Sequence, residues 1–470
     1  MATITAGKAD TTLQPSTLKT PLGPKGEPII GSIRAMRKDP LRFLLNVSRR
    51  YGDVAQYTFV SLTEYLINHP AGVKRVLQEN NRNYSKDVFD YNILKEALGY
   101  GLLTNEGESW LSQRRLMQPA FHRQRLAAFG TLMTDSTTQM LDEKWNRVAA
   151  QGREIDVASE MHDLALRIVG EALFSLDLTR ESQAVGKALT IAQRRIIDQF
   201  FFPFIPMRVP TPNHVEFRKA VRAIDEVVFK IIGERRRNNE DRGDLLSMLM
   251  LARDADTGEG MNDQQLRDEV ITLLLAGHET TANALTWAWY LLSQNPMAAR
   301  RMREELQEVL GGRTPTVADL PKLTYTKMVL DETMRLYPPA WAISRKAIEE
   351  DELAGYRIPA GAIITVSPYA MHHNPRHWDN PEGFDPERFT PERSAQRPPY
   401  AYFPFGGGPR LCIGNNFALM EGQLILATIA QRYRLDLVPG HPVVVEPLIT
   451  LRARYGMRMV LHPLAHGKVA

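Results

Sequence analysis

The sequence predicts a mainly α protein with a small β portion, built as one large domain, and three observations carry that expectation. From about residue 107 to 334, apolar residues recur three and four positions apart over long stretches, as amphipathic helices require. The alternation that marks strands is confined to short segments towards the two ends of the chain. No repeat period, low-complexity tract or Ser/Gly-rich linker divides the 470 residues into separately composed halves. At about 150 residues per domain the length alone would allow three, so the missing boundary decides for one.

Residues 1–20 read as a flexible polar tail and 21–470 as the packed domain, which opens on the Pro/Gly-punctuated lead-in Pro21 to Gly31. Leu41–Arg50 is predicted as a short helix. Asp53–Val60 and Glu64–Asn68 form a predicted strand pair that feeds a second helix at Ala71–Gln78. The helical half breaks near Pro119 and at 203–213, 239–243, 253–261 and 311–323. Within it, Asp268–Gln294 is long and apolar apart from its ends and a central Gly277-His278-Glu279-Thr280-Thr281. Strand signals return at Ala342–Ala347, Tyr356–Ile358 and Ala362–Ser367, then at Val443–Val445, Arg452–Arg458 and Val460–Leu461. A helix is predicted over Asn415–Arg432.

Composition narrows the function classes. Lys and Arg number 58 against 54 Asp and Glu, a net charge of +4, so nucleic acid is not an expected partner. The N-terminus lacks the apolar core of a secretory signal. The longest apolar runs, Ile271–Ala276 and Leu424–Ile429, fall far short of the roughly 18–20 residues that span a bilayer. A cytoplasmic monomer without a transmembrane anchor is the expectation. The single cysteine, Cys412, excludes an intrachain disulfide and any metal site needing two thiolates from this chain.

That cysteine lies in Phe403-Pro-Phe405-Gly-Gly-Gly408-Pro-Arg410-Leu-Cys412-Ile-Gly414. The glycines permit close backbone approach to a flat ligand. The predicted helix from Asn415 puts Cys412 just before or at its first turn, where the helix dipole favours a thiolate. A solitary cysteine is ordinarily just a small buried residue. Here, though, a single thiolate can be the axial ligand of haem iron, and Arg410 two residues away can meet an anionic haem substituent.

Phe405, Gly408, Arg410, Cys412 and Gly414 together resemble the haem-binding signature of the cytochrome P-450 family. The resemblance implies haem b (iron protoporphyrin IX) as cofactor, its iron held by Cys412 as the metal ligand, with Phe405 beside the sulfur and Arg410 at a propionate. Glu332 and Arg335, on one face of a helical run, with Arg388 of Pro386-Glu-Arg388-Phe389, resemble the family's structural triad. Trp110 and Arg114, four apart on a predicted helix, resemble its propionate-contacting pair, and Arg345 matches another propionate arginine. Ala276 to Thr281 resembles its oxygen-activation motif, which implies catalytic proton handling by Glu279 and Thr280. Interior hydroxyls there would also divert a backbone carbonyl and open a local bulge.

The function so implied is monooxygenation: one oxygen of O2 enters a C–H bond of an apolar substrate and the other leaves as water. Gly277–Thr281, Pro386–Phe389 and Leu116–Phe121 resemble the soluble bacterial, fatty-acid-hydroxylating and eukaryotic-like branch more than the small terpene-hydroxylating bacterial one. That implies fatty acids, terpenoids or steroids as candidate substrates, with the pocket drawn from Phe89–Leu103, Phe201–Pro210, Ile271–Ala276 and Pro339–Ile343. The chain holds no flavin or ferredoxin module, so electrons come from an external ferredoxin or flavodoxin with an NAD(P)H-dependent reductase. Arg114, Arg115, Arg123 and Arg125 offer it a basic docking surface. A peroxide-dependent or rearranging haem-thiolate enzyme, and a non-catalytic haem sensor or electron carrier, are the alternatives. No Gly-x-Ser-x-Gly, Walker loop, dinucleotide fingerprint or His-Glu-x-x-His supplies a competing engine. His372, His373 and His377 cluster around Pro375 and are expected at surface turns rather than on a metal.

Overall fold

The computed structural model describes residues 18–464 apart from 60–61, 176–187, 189, 193, 197, 200–204, 239–240 and 255–257. Its axis is the 32-residue helix Asp263–Gln294, here α3 once two earlier helices, α1 (Phe89–Leu98) and α2 (Gly107–Met117), are counted. A capping box starts it: the Asn262 side chain accepts from the Gln265 backbone N–H, and the Gln265 side chain returns the bond. Asn295 and Pro296 end it. Helix Val157–Phe174 packs along it, and at Gly277 a Cβ would come 2.9 Å from Val169 Cγ2, so the lack of a side chain sets how closely the two approach. Trp287 is wholly buried, stacks on Tyr337 at 4.2 Å and donates its indole N–H to the Leu451 carbonyl at 3.1 Å. Truncating such a residue to alanine costs about 3–5 kcal/mol.

Helix α4 (Asn415–Ala430) follows the lone cysteine and is apolar on nearly every side, which requires burial all round. Gly422 seats it against Leu330 of helix Thr324–Leu336. The predicted extent to Arg432 is two residues too long, because Tyr433–Leu437 leaves as a strand that pairs antiparallel with Arg458–Pro463. Neither that strand nor Glu154–Asp156, on the other edge of Arg458–Pro463, was foreseen.

The larger sheet comprises β1 (Val54–Phe59), β2 (Leu62–Ile67), β3 (Tyr84–Ser85), β4 (Ile343–Ala347) and β5 (Ile363–Val366), in the order β1-β2-β5-β4-β3. Only β2 and β5 run parallel. The predicted helix Ala71–Gln78 is an α-turn, Pro70–Lys74, continued by a π-helical turn, Arg75–Glu79. Of the predicted N-terminal tail, residues 1–17 lie outside the described residues, while Lys19 bridges to Tyr356. No helix among the described residues is long and apolar enough to cross a membrane.

Two of the three histidines differ from the sequence expectation, while His377 stands half-buried in a turn. His372 is fully buried and accepts the Phe403 backbone N–H on Nε2 at 3.0 Å, and His373 is buried beside Tyr369. Burial holds both rings well below the usual imidazole range. They are interior braces of the segment leading to the cysteine, because Pro368 starts a short helix that turns them inward.

Candidate active site and cofactor cradle

A cavity of about 520 Å³ opens beside α3, within the range of small-molecule sites. Eight residues picked out by their sequence surroundings all line it: Trp110, Arg114, Glu279, Thr280, Arg345, Phe405, Arg410 and Cys412. Those eight lie up to 302 positions apart in the chain (110 to 412), and the fold brings them to one space.

Cys412 is presented by a tight backbone turn. Its N–H donates to the Phe405 carbonyl at 3.0 Å, Gly406 N–H to Phe403 at 3.0 Å, and Leu411 N–H to Gly408 at 3.0 Å. Gly408 has φ +62°, and a Cβ there would collide with the Leu77 carbonyl oxygen, so this glycine docks the turn on its neighbour rather than clearing space for a ligand. Cys412 lies deep in the fold yet keeps accessible surface, which faces the cavity and a shallower hollow lined by Arg114, Gln118, Phe121, Leu411 and Asn415. Helix α4 starts three residues later, with Gly414 as N-cap. The expected thiolate bias does not follow from this placement alone. Burial pushes the Cys412 thiol up, and the Gly414 backbone N–H and the Arg114 charge only partly offset it. A bound metal cation removes that proton outright.

From α3, Ala276, Gly277, Glu279 and Thr280 reach the same cavity. The Thr280 hydroxyl donates to the Ala276 carbonyl at 2.5 Å. The helix stays α-helical throughout, so the expected bulge is absent: the hydroxyl shares the i−4 carbonyl without displacing its helical partner. Glu279 is buried.

The cavity wall carries more positive charge than the motifs foretold. The Arg410 guanidinium carbon lies 3.6 Å from the Trp110 ring centroid, and its Nη1 donates to the Asn105 carbonyl at 2.9 Å. Arg345 Nη1 donates to Tyr91 Oη at 3.1 Å. Lys86, which no motif marks, is buried between them and donates to the Leu103 carbonyl. Burial first, then Arg345 and Arg410, hold the Lys86 ammonium well below its ordinary range. Burial, with Arg345, lowers Arg410 to about 10. Among the described residues, none of Lys86, Arg114, Arg345 and Arg410 is ion-paired to a carboxylate. Buried cations without counter-charge are costly, and a flat ligand bearing carboxylates at one edge would relieve them. The thiol, the glycine turn and this cationic edge therefore fit haem.

Behind the turn, Arg335 grips Glu332 with Nε and Nη2, each at 2.7 Å, and both residues are 0% exposed. Arg335 also donates to the carbonyls of His372, Pro381 and Gly383, and Asp385 N–H donates to Glu332. Arg388 Nε stands 3.3 Å from Glu332 Oε1, an ion pair without hydrogen-bond alignment. None of the three lines the cavity, which makes them a brace for the cysteine-bearing segment. Two sequence-assigned segments are only partly placed. Residues 201–204 of the predicted pocket stretch lie outside the described residues, and the described part, Ile205–Pro210, does not line the cavity. The side chain of Arg123 is likewise outside them, Arg115 and Arg125 are exposed, and Arg114 turns into the cavity wall.

An unbroken helix over a cysteine turn with a cationic rim defines a haem-thiolate oxidoreductase. The cytochrome P-450 family model matches residues 21–451, and the chain belongs to that family, whose cofactor is haem b; it is an enzyme of the P-450 monooxygenase type. It is 38% identical over 445 residues to cyclooctatin synthase of Streptomyces melanosporofaciens, covering 94% of this chain and 95% of that protein. To cyclooctat-9-en-7-ol 5-monooxygenase of the same organism it is 38% identical over 424 residues, covering 90% of each. To pentalenene oxygenase of Streptomyces avermitilis it is 35% identical over 449 residues, covering 95% and 98%. The crystal structure of the cytochrome P-450DA haem domain superimposes with a TM-score of 0.87 at 26% identity, covering 95% of this chain and 98% of that one.

Proposed function

We propose that the protein hydroxylates the carbon skeleton of an apolar terpenoid, drawing O2 and two electrons from solution and an external partner. The shared cavity of Cys412, Glu279 and Thr280 carries this reading. Cys412 would hold the haem iron through its sulfur, and a haem so held would supply the oxygen-activating chemistry. Lys86, Arg114, Arg345 and Arg410, with the Trp110 indole, hold the propionate edge. Thr280 and Glu279 hold and pass the protons that the reaction consumes, the hydroxyl orienting a water and the buried acid exchanging protons with it. This proton relay supports O2 as oxidant over peroxide.

The choice of terpenoid over fatty acid or steroid is supported by the relatives. Their names specify pentalenene and cyclooctat-9-en-7-ol, a hydrocarbon and an unsaturated alcohol. It is supported too by the lining, in which Leu94, Leu102, Leu173, Leu275, Ile343 and Phe121 predominate over polar groups. Electrons enter through the hollow that reaches Cys412 from the surface; Arg114 lines it, and the exposed Arg115 and Arg125, next in the chain to its lining residues Arg114 and Gln124, suit an acidic ferredoxin or flavodoxin. The test is a panel of cyclic terpene hydrocarbons and alcohols, offered to the holoenzyme with O2, NADPH and a surrogate ferredoxin–reductase pair. A hydroxylated product, with one atom of labelled O2 incorporated, is expected. Turnover of long-chain fatty acids alone would overturn the substrate class.

A further inference from the structure

The register of the larger sheet gathers along the cavity polar side chains to which the haem assignment gives no role. Tyr57 of β1 pairs with Glu64 of β2, Leu66 of β2 with Thr365 of β5, and Thr365 with Ser344 of β4. Paired residues share a face and side chains alternate along a strand, so Tyr57, Glu64, Thr365 and Ser344 all project from one face, and all four line the cavity. Asp90 joins them from the first turn of α1. The Tyr57 hydroxyl donates to Glu64 Oε2 at 2.8 Å and stands 3.3 Å from Thr365 Oγ1, while Ser344 Oγ donates to Asp90 Oδ2 at 2.7 Å. Met36, Leu44, Phe59 and Trp341 surround the group.

Two carboxyl groups thus face the cavity among apolar neighbours, and among the described residues neither is ion-paired, although the cationic edge opens on the same cavity. A carboxylate offers about four lone-pair sites, and the hydrogen bonds within the cluster leave some of them directed at the cavity. Both side chains sit deep in the fold yet retain accessible surface, since what they face is the chamber itself. Burial first, and the Asp90 charge second, lift Glu64 to about 7. A half-ionised acceptor suits a neutral donor better than a full cation, and a third carboxylate at this spot would meet like charge.

We propose that Glu64 and Asp90 form the specificity end of the chamber, accepting a hydroxyl group carried by an apolar substrate and turning away a substrate carboxylate. The assignment rests on the cavity being the substrate chamber, as proposed above. It predicts discrimination by functional group on a constant skeleton, a stronger lever than hydrocarbon shape because an unmatched buried polar group is costly.

The test uses four probes of one skeleton, farnesene, farnesol, farnesyl methyl ether and farnesoate, titrated into the haem-loaded enzyme. Binding is read from the change in iron spin state and from calorimetry, with the reduced carbon-monoxide band confirming an intact site in every variant. Wild type is expected to bind farnesol at least about tenfold more tightly than the methyl ether, the low end for a hydrogen bond to a charged group, and farnesoate most weakly. Glu64→Leu is expected to erase the alcohol-over-ether preference. The shape-conserving double variant Glu64→Gln/Asp90→Asn is expected to raise farnesoate affinity about tenfold. Equal binding of alcohol and ether by wild type, or a preference unchanged in both variants, overturns the proposal while bound and hydroxylated farnesene leaves the monooxygenase reading standing. If no probe perturbs the haem and none yields product, the terpenoid reading fails and takes this proposal with it.

Discussion

Arg410 lies over Trp110, 3.6 Å from guanidinium carbon to ring centroid, although 300 positions separate them in the chain. The stacking orients the guanidinium edge, and Asn105 takes one of its N–H groups, leaving the others for a ligand. Replacing Arg410 by leucine removes a charge-assisted contact of about 1.5–3 kcal/mol. Haem transfer from Arg410→Leu to an apomyoglobin trap is therefore expected to run about 10- to 100-fold faster than from wild type. An unchanged transfer rate would remove Arg410 from the propionate edge.

Glu332 and Arg335 are fully buried and each satisfies the other, so Glu332→Ala leaves an uncompensated guanidinium in the interior. Breaking such a pair costs about 3–5 kcal/mol. Denaturant unfolding of the holoenzyme is expected to show a loss of that size, whereas an exposed i,i+4 pair such as Arg300–Glu304 is expected to cost under about 1 kcal/mol when broken.

Thr280→Ala keeps the helix, because the Thr280 hydroxyl bond is an addition to the backbone ladder and not a rung of it. The variant is expected to keep consuming O2 and reductant while product formation falls by about 10²-fold, the lower end for a positioned proton-transfer group. Measuring product per NADPH alongside O2 uptake separates this from simple loss of binding. Full coupling in the variant would leave the hydroxyl without a role.

Asp351 contributes a pH-dependent increment of stability. Burial would raise its carboxyl, but Arg75, Tyr84 and Asn80 outweigh that and hold it at about 2. A depressed folded-state value contributes stability above the unfolded value near 4 and loses it as pH falls towards 2. With Arg75 partly exposed, the increment is about 1–2 kcal/mol. The stability difference between wild type and Asp351→Asn is expected at neutral pH and to shrink between about pH 4 and pH 2. A difference that persisted at pH 2 would contradict this.

Much of the cavity was legible because its residues announce themselves locally. The cysteine turn, the Gly277–Thr281 interruption of an apolar helix, and Trp110 with Arg114 one helical turn apart are patterns of short chain distance. Lys86, Glu64 and Tyr57 were not legible, and Asp90 fell within the expected pocket stretch Phe89–Leu103 without being singled out, since what gives them meaning is strand register and burial against segments more than 250 residues away, as in the Ser344–Asp90 hydrogen bond. Glu154–Asp156 and Tyr433–Leu437 were missed for the same reason: each is short, and it is the ladder with Arg458–Pro463 that makes them strands. His372 and His373 look like loop residues until Pro368 is seen to start the helix that turns them inward.

The central claim is that Cys412 holds haem iron as a thiolate, and the reduced, carbon-monoxide-bound absorption spectrum of wild type beside Cys412→Ala tests it most directly. Wild type is expected to show the red-shifted band of a thiolate-ligated haem and Cys412→Ala to lose it. An identical band in both proteins would contradict the claim.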